Sequence, residues 1–329
     1  MIGLRSPVRG ASRDPCADGS PVHDVAAVPD PLAEWCQAVL GRFAVVSARD
    51  APRDGSAVWR LSADRGYVYL KAYRRVAKWN MEVHAYECWT AALEGQAPQL
   101  IAALEPPTPA ILIAELPGIP LDRATLPARS ERAAWRAAGA ALARWHALPG
   151  GKWFGPPRRD GSPGIESPET DPVALVASCL EDWLSRAMAV NLLSASELET
   201  AKSALAGARL FAGEPPVACH GDYRPRNWLV GPDGAWRGVI DFEHARWDLK
   251  INDLGYWWDR GGWSERADLR AAFLAGYGRL TGRERQQLRI VRILGALGRI
   301  HWGQATGDMR ALELGRKVLR QLASNRCSR

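Results

Sequence analysis

His220-Gly221-Asp222-Tyr223-Arg224-Pro225-Arg226-Asn227, followed by Val239-Ile240-Asp241-Phe242-Glu243, is the stretch on which the reading of this chain turns. Asp222 and Asn227 stand five residues apart in a segment that Gly221 and Pro225 mark as a tight loop. Asp241 comes 19 residues after Asp222, at the end of an apolar run that reads as a short strand. Phosphoryl transfer needs a carboxylate beside the attacking hydroxyl and oxygen ligands for a divalent cation bridging the phosphates. Asp222 can supply the first, and Asn227 and Asp241 the second. A capped turn with an incidental aspartate would account for the loop, but not for the spaced Ile240-Asp241.

Strand signals crowd the N-terminal part of the chain: FAVVSA (43–48), SAVWRLS (56–62), GYVYLKAY (66–73), QLIAAL and AILIAEL (110–116). Before them, PLAEWCQAVLGRF reads as a short helix with Leu32, Trp35, Cys36 and Val39 on one face. Among them lies a helix from about Trp79 to Leu93, whose stripe of Tyr86, Trp89 and Leu93 also carries Glu82. LPGIPL then breaks the pattern, as a crossing between lobes would. Beyond it the chain is helical. Ser130 reads as the cap of a helix presenting Trp135, Ala138, Leu142 and Trp145 to a core. Residues 150–172 are loop; helices follow at 173–187 and 195–208, and again over most of 264–323. Two short strands, around VACHGD and WRGVIDFE, enclose the loop quoted above. A β-rich part followed by an α-rich part predicts an α+β fold of two lobes. The expected division is a disordered tail at 1–29, a nucleotide-binding lobe at 30–116 and a helical catalytic and substrate lobe at 117–329.

The order His-Gly-Asp, four residues, Asn, then Ile-Asp and a later Asp-Leu, here Asp253-Leu254, resembles the aminoglycoside phosphotransferase and choline kinase family. The likeness extends to ELPGIPL (115–121), which looks like that family's hinge, and to LARWHALPG (142–150). The resemblance implies a protein-kinase-like fold with a small β-rich N-lobe and a larger helical C-lobe. It implies a small-molecule kinase moving a γ-phosphoryl group from magnesium-bound ATP or GTP to a hydroxyl of an antibiotic or related metabolite. It implies Asp222 as catalytic base, Asn227 and Asp241 as Mg2+ ligands, and Arg224 near the transferred phosphate. Choline, sugar or nucleoside phosphorylation are the enzymatic alternatives, and a nucleotide-binding pseudokinase is the non-enzymatic one.

Lys71 ends the YVYLK strand and fits the lysine that holds the α and β phosphates. Only six of the 43 basic residues are lysines, so a lysine at this place is informative. Its expected partner is Glu82 rather than Glu87, which lies roughly 140° around the helix. Gly55-Ser56 suits either a phosphate-contacting turn or a plain hairpin, and no GxGxxG is present. The nucleobase would be read by backbone near Glu115 and Leu116. Arg226 stands where the family often has Gly, adding bulk and charge beside the cleft. For the acceptor, Trp257, Trp258 and Asp259 in GYWWDRGGW are candidate contacts, with Tyr256 and Trp263 nearby, although tryptophans there equally suit a core. A multiply charged aminoglycoside would need a dense acidic pocket. Arg226, Arg260 and Arg266 argue instead for a weakly charged acceptor.

Composition narrows the alternatives. Net charge is +7 and pI about 9.3, but acids interrupt the basic residues throughout, so no nucleic-acid-binding surface is expected. Six cysteines form no CxxC pair, which argues against a zinc site or a disulfide framework. No signal-peptide core and no run of 18 apolar residues is present, and a cytoplasmic protein without membrane contact is expected.

Overall fold

The computed structural model describes residues 27–49, 55–189, 191–259 and 265–324. Most of the expected tail over 1–29, and Trp263 with its neighbours, lie outside the described residues. Five antiparallel strands build the first lobe: β1 (Phe43–Arg49), β2 (Ser56–Ala63), β3 (Gly66–Tyr73), β4 (Leu100–Leu104) and β5 (Ala110–Ala114), in the order β1-β2-β3-β5-β4. Alternation along β3 gives the sheet two different faces. Val68 and Leu70 point into an apolar cluster with Trp59, Leu61 and Leu112, which helix α1 (Asp30–Leu40) covers with Leu32 and Cys36. Val39, read as part of that buried face, is 38% exposed, because the chain turns away into Gly41 one residue after Leu40. Lys71 and Tyr73 take the opposite face of β3, towards the second lobe.

The segment expected as one helix over 79–93 is composite. Helix α2 (Val76–His84) runs into a wider π turn at Ala85–Trp89 and then a 3-10 turn at Thr90–Leu93. The turn widens where Trp89 wedges edge-on against Trp145 and Trp247, at 6.0 and 4.8 Å between ring centroids.

Helix α3 (Ala128–His146) opens the second lobe, and its expected stripe of Trp135, Ala138, Leu142 and Trp145 is buried. It begins after Pro127, so Ser130 lies inside the first turn and is not the cap; Pro127 pre-sets the entry geometry. Helices α4 (Pro172–Ala189), α5 (Ala195–Ala206), α6 (Lys250–Trp258), α7 (Ala267–Tyr277), α8 (Gly282–Thr306) and α9 (Met309–Ser324) complete it. Short strands carry the functional loops: β6 (Ile119–Pro120), β8 (Trp228–Val230) and β9 (Trp236–Val239) form one sheet, and β7 (Val217–Cys219) with β10 (Arg246–Asp248) another. No helix among the described residues is long and apolar enough to cross a membrane.

Packing of α3 against α7 relies on two glycines. A methyl group at Gly276 would lie 1.9 Å from the Arg136 carbonyl oxygen, and one at Gly139 2.1 Å from the Phe273 carbonyl oxygen. The backbones therefore touch, which seats Trp135 edge-on to Trp228 and Trp257 at 5.1 Å. Gly276→Ala is expected to destabilise the protein by about 1–3 kcal/mol or more, the usual range for overpacking. Urea unfolding of the variant beside the parent protein measures this.

Candidate active site

Strand β7 delivers His220 into a loop that is held from below by one carboxylate. The backbone N–H groups of His220 and Gly221 donate to Asp253 Oδ2 and Oδ1, both at 2.8 Å. His146 Nε2 approaches Oδ2 at 3.1 Å, with Nδ1 facing the Tyr277 hydroxyl at 2.9 Å. Asp253 is fully buried near the start of α6. Burial alone would raise its pKa, but His146, His220 and the His220 N–H together outweigh this and hold the carboxyl below its ordinary range. Gly221 sits at φ +75°, and a methyl group there would lie 2.2 Å from the His244 carbonyl oxygen. Glycine is thus required twice over at that position.

The turn that follows aims Asp222. Its Oδ2 accepts from Arg224 Nε at 2.9 Å, with Arg224 Nη2 at 2.7 Å, and from Asn227 Nδ2 at 3.1 Å. Asn227 Nδ2 also donates to the Asp222 carbonyl at 2.9 Å. Oδ1 is buried and has no hydrogen-bond partner. The His220 ring bridges backbone on both sides, Nδ1 accepting from Asp222 N at 3.2 Å and Nε2 meeting the Ile240 carbonyl at 3.1 Å. It is a strut for the loop.

Across the cleft, the Lys71 ammonium contacts three carboxylates: Glu82 at 2.6 Å, Asp241 at 2.7 Å and Glu243 at 3.0 Å. Burial opposes its charge, but Asp241, Glu82 and Glu243 together push its pKa well above the ordinary lysine value. Asp241 responds in kind: burial acts to raise it, and Lys71 overrides this and drives it far below the usual carboxylate range. For Glu82 the balance falls the other way, burial raising its pKa despite Lys71. Tyr73 Oη donates to Glu82 Oε2 at 2.6 Å, and Phe242 N donates to Oε1 at 3.3 Å. Glu87 points elsewhere and pairs with Arg159 at 2.8 Å.

Asp241 occupies the left-handed region at φ +72°, a conformation that costs a residue with a side chain about 1–3 kcal/mol. Glu82, Asp241 and Glu243 each present an oxygen within 4.8 Å of the others, gathered around the Lys71 ammonium. Asp241 offers a carboxylate, and Asn227, tied to Asp222 through Nδ2, keeps its amide oxygen; hard oxygen donors of this kind are what Mg2+ takes, so these two residues fit that ion.

Other residues singled out in the sequence are disposed differently. Ser56 Oγ donates to Glu243 Oε2 at 2.9 Å, so its hydroxyl faces the cleft but is engaged with a carboxylate. The Glu115 side chain pairs with Arg60 at 2.8 Å and its N–H donates to the Tyr67 carbonyl at 3.0 Å, which removes that N–H from nucleobase reading. Leu116 follows at the inter-lobe crossing. Arg226 is exposed beside the loop.

The acceptor candidates on α6 require correction. Trp257 is fully buried among Trp135, Trp228 and Phe273, because helical spacing puts it on the same inward face as Leu254. Nothing can stack on it. Asp259 is buried in a two-pronged ion pair with Arg292, at 2.7 and 2.8 Å. Trp258 is half-buried, under Arg270, and lines a separate cavity of about 420 Å³.

Glu243 and Lys78, which pair at 2.7 Å, were not read from sequence. The signal available was an acid two residues beyond Asp241 and one more lysine in a lysine-poor chain.

A family model described as "Phosphotransferase enzyme family" matches residues 45–291. Among solved structures, the macrolide 2'-phosphotransferase MphH from Brachybacterium faecium superposes with a TM-score of 0.63 at 19% identity, covering 88% of this chain and 97% of that one. The aminoglycoside phosphotransferase APH(4)-Ia, in a ternary complex with AMP-PNP and hygromycin B, gives 0.64 at 13% identity over 90% and 99%. A putative fructosamine-3-kinase from Thermobifida fusca gives 0.58 at 19% identity over 89% and 100%. No curated protein sequence matches. At these identities the likenesses show a shared fold.

Because the folded pKa of Asp253 is depressed, its contribution to stability is present above the unfolded carboxylate value, about pH 4, and is lost as pH falls through the folded one. Asp253→Asn should therefore cost about 1–3 kcal/mol at neutral pH, the scale of buried N–H groups losing a charged acceptor, with the deficit shrinking in acid. Urea titrations of both proteins at several pH values check the slope.

Proposed function

The chain belongs to the phosphotransferase enzyme family that matches it over residues 45–291, and from that premise we propose that it moves the γ-phosphoryl group of ATP or GTP to an alcohol hydroxyl of a small molecule. The observation carrying the assignment of roles is Asp222. One of its oxygens is clamped by Arg224 and Asn227, and the other is buried, unpartnered and free to receive a proton. A carboxylate held this way orients the acceptor hydroxyl and takes its proton as the oxygen–phosphorus bond forms. The bond between the γ-phosphorus and the β-phosphate oxygen breaks, and nucleoside diphosphate leaves.

Lys71, steadied by Glu82, would neutralise the α and β phosphates. Asp241 and Asn227 would hold Mg2+, which supplies the remaining charge neutralisation across the phosphates when bound. Glu82 holds the lysine and is itself held by Tyr73 and the Phe242 N–H. Among acceptors, antibiotics come first, since macrolide and aminoglycoside phosphotransferases share this fold. The fructosamine-3-kinase likeness keeps a sugar-type metabolite as the second reading.

Nucleotide-consumption assays against hydroxylated antibiotics, sugars, amino alcohols and nucleosides identify the acceptor. With the best of them, Asp222→Asn should slow turnover by roughly 10²–10⁴-fold while the thermal midpoint stays put. Near-normal turnover in a folded variant would remove Asp222 from this role. Lys71→Met and Glu82→Gln should each depress kcat/KM, the glutamate change less. The double variant should fall short of the summed losses, since the two act as one unit. Additive losses in kcat/KM would show that the ion pair is not what positions the lysine.

A further inference from the structure

Beside the Asp222 loop a cavity of about 910 Å³ opens between α4, α6, α8 and α9, with Gly221, Arg224 and Arg226 forming its loop-side wall. That volume suits an acceptor of drug-like size, in the upper part of the usual range for ligand sites. Trp183, Leu294, Leu314 and Trp302 give it an apolar flank. Gly295 and Gly298, one helical turn apart on α8, keep that flank open; a methyl group at Gly298 would meet nothing closer than Trp183 at 3.8 Å.

The polar side of the wall is unbalanced. Three acids face it; Asp253 has both oxygens hydrogen-bonded, and Asp248 and Asp308 each have one. Asp253 spends both oxygens on the His220 and Gly221 N–H groups. Asp248 Oδ1 accepts from Leu249 N and Asn252 Nδ2, both at 2.7 Å. Asp308 Oδ1 accepts from the N–H groups of Arg310 and Ala311 at 3.1 Å. Of the four arginines, Arg224 is spent on Asp222 and Arg299 is engaged as well. Arg226 has no hydrogen bond or ion pair among the described residues. Arg246 makes one hydrogen bond, from Nε to the His244 carbonyl at 3.2 Å, and interacts electrostatically with Asp248. The donors of the cavity least engaged by the protein are therefore the guanidinium groups of Arg226 and Arg246, above an apolar flank. A carboxylate would gain charge-assisted, two-pronged hydrogen bonds from those two guanidinium groups.

We propose that the acceptor is an amphiphilic hydroxy acid. Its apolar body lies along Trp183 and Leu294, its carboxylate is held by Arg226 and Arg246, and its alcohol is turned past Gly221 and Arg224 towards the Asp222 carboxylate. This rests on the phosphotransferase reading of the same site. The reaction is the one already described: the alcohol oxygen bonds the γ-phosphorus, its proton passes to Asp222, and the carboxylate is unchanged.

Binding can be measured apart from turnover. Calorimetry on Asp222→Asn protein saturated with magnesium AMP-PNP would use three probes of different shape: cholate, 3-phenyllactate and 10-hydroxydecanoate. Each is compared with its methyl ester and with the corresponding primary amine. At least one acid should bind about tenfold or more tightly than its ester and its amine, the scale of a lost charged hydrogen bond. Arg226→Gln with Arg246→Gln should erase that preference and leave the Kd for AMP-PNP within about twofold, well under one such bond. Equal binding of acids and esters, tighter binding of amines, or no saturable binding by any acid overturns the proposal. So does a rise in the AMP-PNP Kd with unchanged acid binding, which would assign the arginines to the donor phosphates. Turnover by the parent protein separates the two readings. Acid binding without phosphorylation of any probe or panel compound would sink the kinase assignment alone, and phosphorylation confined to amines would sink this inference alone.

Discussion

The Lys71 ammonium draws together parts of the chain that have no other reason to meet. Glu82 comes from α2, Asp241 and Glu243 from the segment after β9, and Lys71 itself from the middle of the N-lobe sheet. Burying an ammonium among carboxylates is tolerable only if its charge is matched and its hydrogen bonds are made. Here three acids do both, and Lys78 and Ser56 satisfy what remains of Glu243. The orientation of α2 follows from this, since Glu82 must reach Lys71 while Trp89, further along the same segment, wedges against the second lobe. Relative placement of the lobes thus rests on one cation as well as on apolar packing.

A second constraint works from the opposite side of the cleft. Asp253 fixes the backbone of the His220–Gly221 turn, while Arg224 and Asn227 fix the carboxylate of Asp222. Neither arrangement involves a flexible surface side chain. Under the proposed function this is preorganisation: the groups around Asp222 need little rearrangement when an acceptor arrives, and low local dielectric strengthens each contact. Electrostatic rearrangement is instead concentrated at Lys71, whose carboxylate partners must share it with phosphates once nucleotide enters.

Much of this was legible in the sequence because short-range chemistry dictates it. Period-two alternation set the β3 strand and placed Lys71 opposite Leu70, and period 3.6 put Glu82 on the inward face of α2. The loop from His220 to Asn227 could be read for the same reason: its glycine, proline and five-residue spacing admit few conformations. Where local signals were ambiguous the reading went astray. Tryptophan suits a binding rim and a core equally well, and only the contact between α3 and α7 shows that Trp257 belongs to the core. Ser130 is a good cap residue, yet Pro127 had already started the helix.

What the sequence determined by itself was the order of elements, the alternation that fixes which side chains face inward, and the spacing of Asp222, Asn227 and Asp241. These depend on residues within a few turns of each other, whose geometry the backbone periods dictate. Tertiary structure alone decided that Glu243 completes the Lys71 cluster, that Asp253 anchors the His220–Gly221 turn, and that Arg226 and Arg246 face one cavity while Trp257 faces none. Those pairings join residues 20 to 187 positions apart. A carboxylate in a sequence carries no mark of which distant cation or N–H it will meet, because that is set by how helices and sheets pack.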